Sequence, residues 1–429
     1  MRQIKRQPGR GWCAVKQRIS LTILPALIGL LALTAARLAT AATVHNPEDG
    51  DFFDAYVTEQ YLLDDNLFRV PAGAQYFDSL VGPGSTRNDR INVAILGLEG
   101  QWTGSRQAIA LDAHVNDNRY TFNTRLDNVS GFGNVVWDWR AGALWTGEVG
   151  ATLSRGLASF QSLNFYGRDL VDSIQSFANA SFQISPNLSL VGGVAQTTVS
   201  QGVVSQRIND FRNAGGNVGM SYATAEDTTF GVNYEFAKGV YPTGAIIDFR
   251  GLEFNRDYKA DIVRFLVTSP VGATIMVKAD AGYEKRVYAT DNVGAISGAV
   301  WRVDMNWQAT AITALKLDAS RQITAYLDAE STYFISTRFS AAPTYNPTER
   351  IAVALALSTE KQAYFGPSAG IVEFASRRDS VSGEQATLTY TPRTHLSFTL
   401  NAGFQQRASN FARYEFTDRL LSAAITGRF

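Results

Sequence analysis

The chain has 429 residues, of which 45% are hydrophobic, 11% aromatic and 18% charged, and its formal net charge is zero. This length accommodates either two or three soluble domains or one large barrel. The only cysteine is Cys13, which excludes a framework of disulfides and a structural metal site built from thiolates.

The first 41 residues predict a secretory signal peptide. Basic residues from Arg2 to Arg18 precede a mostly apolar stretch at 19–36, and Ala39-Thr40-Ala41 forms a cleavage site of small residues. A retained N-terminal anchor is the alternative. Cleavage would remove Cys13 and seven of the 39 basic residues, leaving 32 basic against 39 acidic residues. Such an acidic mature chain argues against nucleic acid as a partner.

The mature chain predicts one domain. Residues 42–51 are short and polar and predict a periplasmic lead-in, which leaves 52–429 for a single barrel. Strands alternate with tight turns, and the turns are rich in Gly, Pro, Asn and Ser, which favour turn geometry. One of these turns is expected at Ala342-Pro343-Thr344. Longer polar connections lie between the turns, with one short exception near 324–329. Short turns on one side and long loops on the other are typical of outer-membrane barrels.

Several segments alternate between apolar and polar residues with a period of two. In residues 301–308, for example, the odd positions are apolar and the even positions polar. The apolar rows carry aromatic residues that we assign to the lipid-facing wall and its interfacial belts. These aromatic residues are Trp137, Trp139, Trp301, Trp307 and Tyr390.

The end of the chain resembles the C-terminal strand of bacterial outer-membrane barrels. Residues 419–429 alternate in the same way and finish on Phe429, which in such barrels is the usual signal for insertion. A soluble sandwich ending in a strand is the alternative. We therefore predict an all-β fold: a transmembrane antiparallel outer-membrane β-barrel of about eighteen strands, with sixteen as the alternative. The predicted location is the outer membrane of a Gram-negative bacterium, with both chain ends periplasmic.

The polar rows predict the residues that line the lumen. We expect those near 278–318 to form one cross-strand network on three neighbouring strands. The wall is either a solvated, self-neutralising surface or a track for a hydrophilic polymer. The lumen candidates are Asp112, His114, Asp138, Arg140, Glu235, Lys278, Asp280, Glu284, Arg302, Asp304, Asn306, Lys316 and Asp318.

The sequence offers little support for catalysis. The histidines are His45, His114 and His395; no two stand at the spacing of metal ligands, and no nucleophile is marked near His114. We therefore expect no enzyme activity, no catalytic residues, no metal and no cofactor.

Residues 61–71 read YLLDDNLFRVP, and this stretch resembles the N-terminal signature of the EpsL-type outer-membrane proteins, which are encoded with exopolysaccharide synthesis and exosortase genes. The resemblance implies a conduit for, or an accessory to, polysaccharide secretion. A general or sugar-selective diffusion porin, or a closed barrel that anchors polysaccharide or proteins, is the alternative. The residues could equally fasten a loop or contact sugar. They are Asp64, Asp65, Asn66, Leu67, Phe68 and Arg69.

The expected partners follow from this assignment. They are outer-membrane lipid, the barrel-assembly machinery, polysaccharide and other proteins of the secretion pathway, with no nucleic acid.

Overall fold

The structure is a computed structural model that describes residues 51–73, 77, 81, 84–161, 165–243, 246–247, 253–289, 295–325, 333–365 and 377–429. The predicted signal peptide, and all but the last residue of the predicted lead-in, lie outside these residues. Among the described residues, no helix is long and apolar enough to cross a membrane.

Eighteen strands form one closed antiparallel sheet, and a separate two-stranded ribbon, β10 and β11, lies in one of the connections. The bounds of the strands are β1 (Phe52–Asp64), β2 (Asp89–Gly104), β3 (Gln107–Tyr120), β4 (Asn128–Ala141), β5 (Trp145–Leu157), β6 (Leu170–Ser185), β7 (Leu188–Gln201), β8 (Phe211–Ala223), β9 (Thr229–Val240), β10 (Ile246–Ile247), β11 (Glu253–Phe254), β12 (Tyr258–Val271), β13 (Ile275–Tyr288), β14 (Ala295–Thr310), β15 (Thr313–Ala325), β16 (Tyr333–Thr348), β17 (Ile351–Phe365), β18 (Arg378–Arg393), β19 (Leu396–Ser409) and β20 (Phe416–Arg428).

The barrel closes between its first and last strands. β1 pairs with β2 on one side and with β20 on the other, from Tyr56 opposite Arg428 to Asp64 opposite Leu420. Elsewhere each barrel strand pairs with the next along the chain, and β9 pairs with β12. The predicted barrel of eighteen strands is thus confirmed, and the alternative of sixteen is wrong.

The two ends of the barrel differ in their connections. At one end, which we call the turn end, connections such as 105–106, 186–187 and 394–395 are short, and both β1 begins and β20 finishes there. At the other, the loop end, longer connections include 65–88 and 158–169. The short connection expected near 324–329 falls largely outside the described residues.

The turn expected at Ala342-Pro343-Thr344 is wrong. β16 runs through these residues, and the turn follows at Glu349 and Arg350, where Thr348 Oγ1 accepts hydrogen bonds from the N–H groups of Arg350 (3.2 Å) and Ile351 (3.1 Å). Pro343 pairs with Leu315 of β15, but the ladder towards β17 skips it. A proline fits this point in a strand because it has no N–H to donate.

The strands alternate between two faces. On β20, Leu421 and Ile425 are exposed on the outside, whereas the residue that follows each of them, Ser422 or Thr426, is buried. The aromatic residues assigned to the outer wall behave in the same way, since Trp137, Trp307 and Tyr390 are exposed. Because side chains alternate across a strand, every second residue points into the barrel.

Candidate functional site: the barrel lumen

The structure places the predicted lumen residues on rows that point into the barrel. On β14, for example, Arg302, Asp304 and Asn306 alternate with Val303 and Trp307, which are exposed outside. Their role in transport stays a prediction. The residues on inward rows are Asp112, His114, Asp138, Arg140, Glu235, Lys278, Asp280, Glu284, Arg302, Asp304, Asn306, Lys316 and Asp318.

Arg302 is the centre of an ion-pair cluster on β14 and β15. Its Nε lies 2.8 Å from Asp304 Oδ2, and its Nη2 lies 3.1 Å from Asp318 Oδ2. Asp304 and Asp318 are directly opposite each other in the strand register. The positive charge of the guanidinium therefore offsets the repulsion between these two carboxylates.

The prediction that the charged residues at 278–318 form one network is wrong, because the ion pairs they form fall into separate groups. Asp280 is opposite Arg302 in the register but pairs instead with Arg264 of β12, at 2.7 Å. Glu284 pairs with Arg286, at 2.6 Å, near the loop end. Among the residues that the structure describes, no ion pair joins Lys278 or Lys316 to a carboxylate.

A glycine explains why Asp280 reaches β12. Gly282 stands opposite Arg264, and a Cβ there would lie 2.9 Å from Arg264 Cγ. The missing side chain gives the arginine stem room beside β13, where its Nη1 reaches Asp280. Its Nε lies 3.1 Å from Glu235 of β9, the neighbour of β12 on the other side. Arg264 was missed in the sequence because the charged residues of β12 do not keep to one face. Asp261, three residues earlier, faces outward, where it accepts a hydrogen bond from Tyr234 (2.5 Å).

Uncharged polar side chains form hydrogen bonds between strands on part of the inner wall from β3 to β9. Asn118 Nδ2 donates to Asn128 Oδ1 at 3.1 Å, and Asn217 Nδ2 donates to Asn233 Oδ1 at 3.1 Å. Thr152 is also bonded to an amide across strands. Amides both donate and accept, so these side chains present hydrogen-bonding groups that carry no charge.

The lumen is open towards the turn end. Lys278, Asn306 and Lys316 point inward and are nevertheless exposed. Asp112 and His114 are half-buried, and His114 stacks on Phe132 with ring centroids 5.4 Å apart. An inward side chain can be exposed only where the interior is not filled by protein.

The first loop fills part of the barrel at the loop end. Phe68 and Val70 are fully buried and pack in a cluster with the inward residues Ile91, Val93 and Ile95 of β2. Leu126 and Phe160 of two other connections join the cluster, with the rings of Phe68 and Phe160 4.9 Å apart. The apolar residues on the inner face of β2 are therefore covered by this loop.

The motif at 64–71 fastens this loop. Arg69 lies between Asp64 and Asp418, with nitrogen–oxygen distances of 3.0 Å to each. Asn66 Nδ2 donates to the carbonyls of Val70 (2.9 Å) and Thr417 (2.8 Å). Arg69 adopts a left-handed conformation with φ 56°, which these contacts stabilise. These contacts are those of a loop fastener, and contact of the motif with sugar stays a prediction.

The connection between β5 and β6 crosses the lumen. Gln405 Nε2 donates to Gln161 Oε1 at 3.2 Å, and Arg407 Nη1 donates to the Gln161 carbonyl at 3.0 Å. β19, which carries both donors, lies six strands from β5 by the shorter path round the barrel. This connection and the first loop together narrow the loop end.

Arginines stacked on tyrosines line the loop end. The guanidinium of Arg286 lies 4.3 Å from the ring centroid of Tyr258, and that of Arg377 lies 4.2 Å from the centroid of Tyr364. Outside the strands, burial raises the pKa of Tyr241, and the nearby Arg256 opposes the shift. Each buried cation thus lies against an aromatic face, which is a favourable electrostatic contact.

The described residues contain no group of three or more histidine, cysteine, aspartate or glutamate side chains that could hold a metal ion. The arrangement of the lumen is that of a polar wall, open at the turn end and narrowed by loops at the loop end.

The comparisons with known proteins give the family. The model of the family described as "Putative beta-barrel porin 2" matches residues 195–429. The chain belongs to this family. The barrel is therefore porin-like and of the outer-membrane type. No protein with a curated description matches the chain.

Several solved structures are similar to the chain. The outer membrane protein opdK from Pseudomonas aeruginosa is 11% identical, with 88% of this chain and 99% of that chain covered and a TM-score of 0.44. A BenF-like porin from Pseudomonas fluorescens has the same identity, coverage and score. OccK2 (OpdF) of Pseudomonas aeruginosa, solved in complex with glucuronate, is 11% identical, with 89% and 100% covered and a TM-score of 0.44.

Proposed function

We propose that this protein is an outer-membrane channel through which small polar solutes diffuse. The observation that carries the proposal is the exposure of the inward-facing Lys278, Asn306 and Lys316 inside a closed barrel. A wall of amides and paired charges offers such solutes hydrogen bonds in exchange for those they lose to water. The loops at the loop end limit the size of what enters. This channel has no catalytic role.

The proposed orientation has the turn end in the periplasm of a Gram-negative cell and the loop end outside, as is general for outer-membrane barrels. Lipid then surrounds the apolar outer wall, and the barrel-assembly machinery is the expected partner during insertion. Protease cleavage of intact cells within 202–210 would support this orientation, whereas cleavage within 224–228 would contradict it.

Conductance tests the proposal. The purified full-length barrel, placed in a planar bilayer, should carry a steady ionic current, and liposomes that contain it should swell in small sugars but not in long dextrans. A barrel that folds in the bilayer and carries no current would overturn the channel and favour a closed structural barrel.

Exopolysaccharide secretion is the second candidate, and the resemblance of residues 61–71 supports it. The polymer would contact the amide and hydroxyl groups on the inner wall from β3 to β9, and other proteins of the pathway would be partners. A strain lacking this protein should then secrete less polymer, measured as sugar in the medium. Unchanged secretion would leave the diffusion channel as the better proposal.

A further inference from the structure

One inner wall of the open half carries two lysines that form no ion pair with any described carboxylate. Lys278 of β13 is opposite Asp304 of β14 in the register, and Lys316 of β15 is opposite Asn306. At the turn end, β13 begins at Ile275 and β15 at Thr313, and each lysine lies three residues along its strand from that first residue. Both are exposed inside the barrel, and the described ion pairs of this wall use Arg264 and Arg302 instead.

Another wall carries carboxylates at a similar depth. Asp138 of β4 stands three residues in from the turn-end terminus of its strand, and Asp112 of β3 stands five residues in. Neither takes part in an ion pair that the structure describes, and Asp112 Oδ1 is buried without a hydrogen-bond partner. The cationic group nearest in sequence to Asp138 is Arg140, exposed at the rim, and His114 stands two residues from Asp112.

The two walls face each other. β3 and β14 are nine strands apart along either path round the ring of eighteen, so β3 and β4 are on the opposite side of the barrel from β13 to β15. At this depth Lys278 and Lys316 are exposed inside the barrel, and Asp112 and Asp138 are half-buried. Opposed charges across an aqueous space within a low-dielectric wall produce a field across the lumen, because the wall focuses the field lines.

We propose that this level of the lumen favours small zwitterions, such as α-amino acids, over neutral solutes of equal size. The ammonium group of a zwitterion would turn towards Asp112 and Asp138, and its carboxylate towards Lys278 and Lys316. A zwitterion aligned across the field is attracted at both ends, whereas a simple ion is attracted by one wall and repelled by the other. The inference rests on the proposed channel function.

Liposome swelling tests this selectivity with two solutes of equal size, the zwitterion alanine and the neutral lactamide. After subtraction of protein-free liposomes, the ratio of alanine to lactamide rates should fall at least about twofold in Lys278→Gln/Lys316→Gln, since the field weakens. It should fall similarly in Asp112→Asn/Asp138→Asn. Ion selectivity in planar bilayers should shift towards cations in the first variant and towards anions in the second.

One control makes the result specific. Lys285→Gln removes a lysine on the outer face of β13 and should keep the wild-type ratio. If the charge variants alter ion selectivity but leave the ratio unchanged, the inference is wrong while the channel stands. Absence of both current and swelling in the wild-type protein would overturn the channel function together with the inference.

Discussion

Arg69 and Asp418 form an ion pair that links the first loop to the last strand. The distance from Arg69 Nη2 to Asp418 Oδ2 is 3.0 Å, and the side chains are 7% and 5% exposed. β20, which carries Asp418, pairs with β1 to close the barrel. Arg69 also pairs with Asp64, the last residue of β1. One guanidinium therefore connects both strands of the barrel closure with the loop that fills the lumen.

We expect Arg69→Ala to destabilise the barrel. It would leave the buried carboxylates of Asp64 and Asp418 without a cation, and breaking a buried pair in this way costs about 3 kcal/mol or more. Urea unfolding in detergent, followed by the heat-modifiable mobility on gels, measures the loss. Arg119→Ala is the matched control, because the Arg119–Asp117 pair is exposed and its removal should leave stability unchanged. Equal stability of the two variants would contradict the role of Arg69.

The crossing of the lumen by the β5–β6 connection can be tested by chemical cross-linking. The cleaved chain has no cysteine, so Gln161→Cys with Gln405→Cys introduces the only two thiols. A short thiol-reactive cross-linker should join them, because the native side chains are within hydrogen-bond distance, 3.2 Å. Linked peptides in mass spectrometry are the measurement. The pair Gln161→Cys with Asn306→Cys should remain unlinked, and preferential linkage of that pair would place the connection elsewhere.

Glu59 is a carboxylate on the outer face of β1. It lies between Val57 and Tyr61 along the strand, opposite Ala94 of β2 and Ile425 of β20, and it is exposed. A charged side chain on the lipid face of a barrel is destabilising in proportion to its depth. We therefore expect Glu59→Leu to raise the urea midpoint of unfolding in liposomes.

The control for this prediction is a glutamate outside the apolar band. Glu226 lies in an exposed turn, so Glu226→Leu should leave the urea midpoint of unfolding unchanged. A lower midpoint for Glu59→Leu than for the wild type would mean that the carboxylate has a stabilising contact in the membrane.

Phe429 is expected to direct assembly of the barrel. Its N–H donates to the Ala55 carbonyl at 2.8 Å, and its own carbonyl accepts from Ala55 N–H at 3.3 Å, while the residue is 78% exposed. Deletion of Phe429 removes the last contacts that close the barrel, and an open edge is not tolerated in lipid. Outer-membrane levels at low expression should fall for the deletion and be retained by Phe429→Tyr. Equal levels of the deletion and the wild type would refute the prediction.

The sequence by itself determined the facing of residues and the fold class, and it predicted about eighteen strands. Alternation with a period of two is a local property, so Arg302 and Asn306 could be assigned to the interior without knowledge of any neighbour. Turn-forming residues predicted the short connections in the same way. The turn expected at Pro343 was wrong, because a proline is also compatible with a strand whose ladder is interrupted at that residue.

Only the tertiary structure decided which inward residues meet. Asp280 pairs with Arg264 rather than with Arg302 because Gly282 makes room on one side and two aspartates surround Arg302 on the other. Likewise, Arg69 meets Asp418 only because the barrel closes β20 against β1. Such contacts depend on strand register and on loops that fold inward. These are set by interactions between residues far apart in the chain, whereas the period of a strand is set by its own backbone.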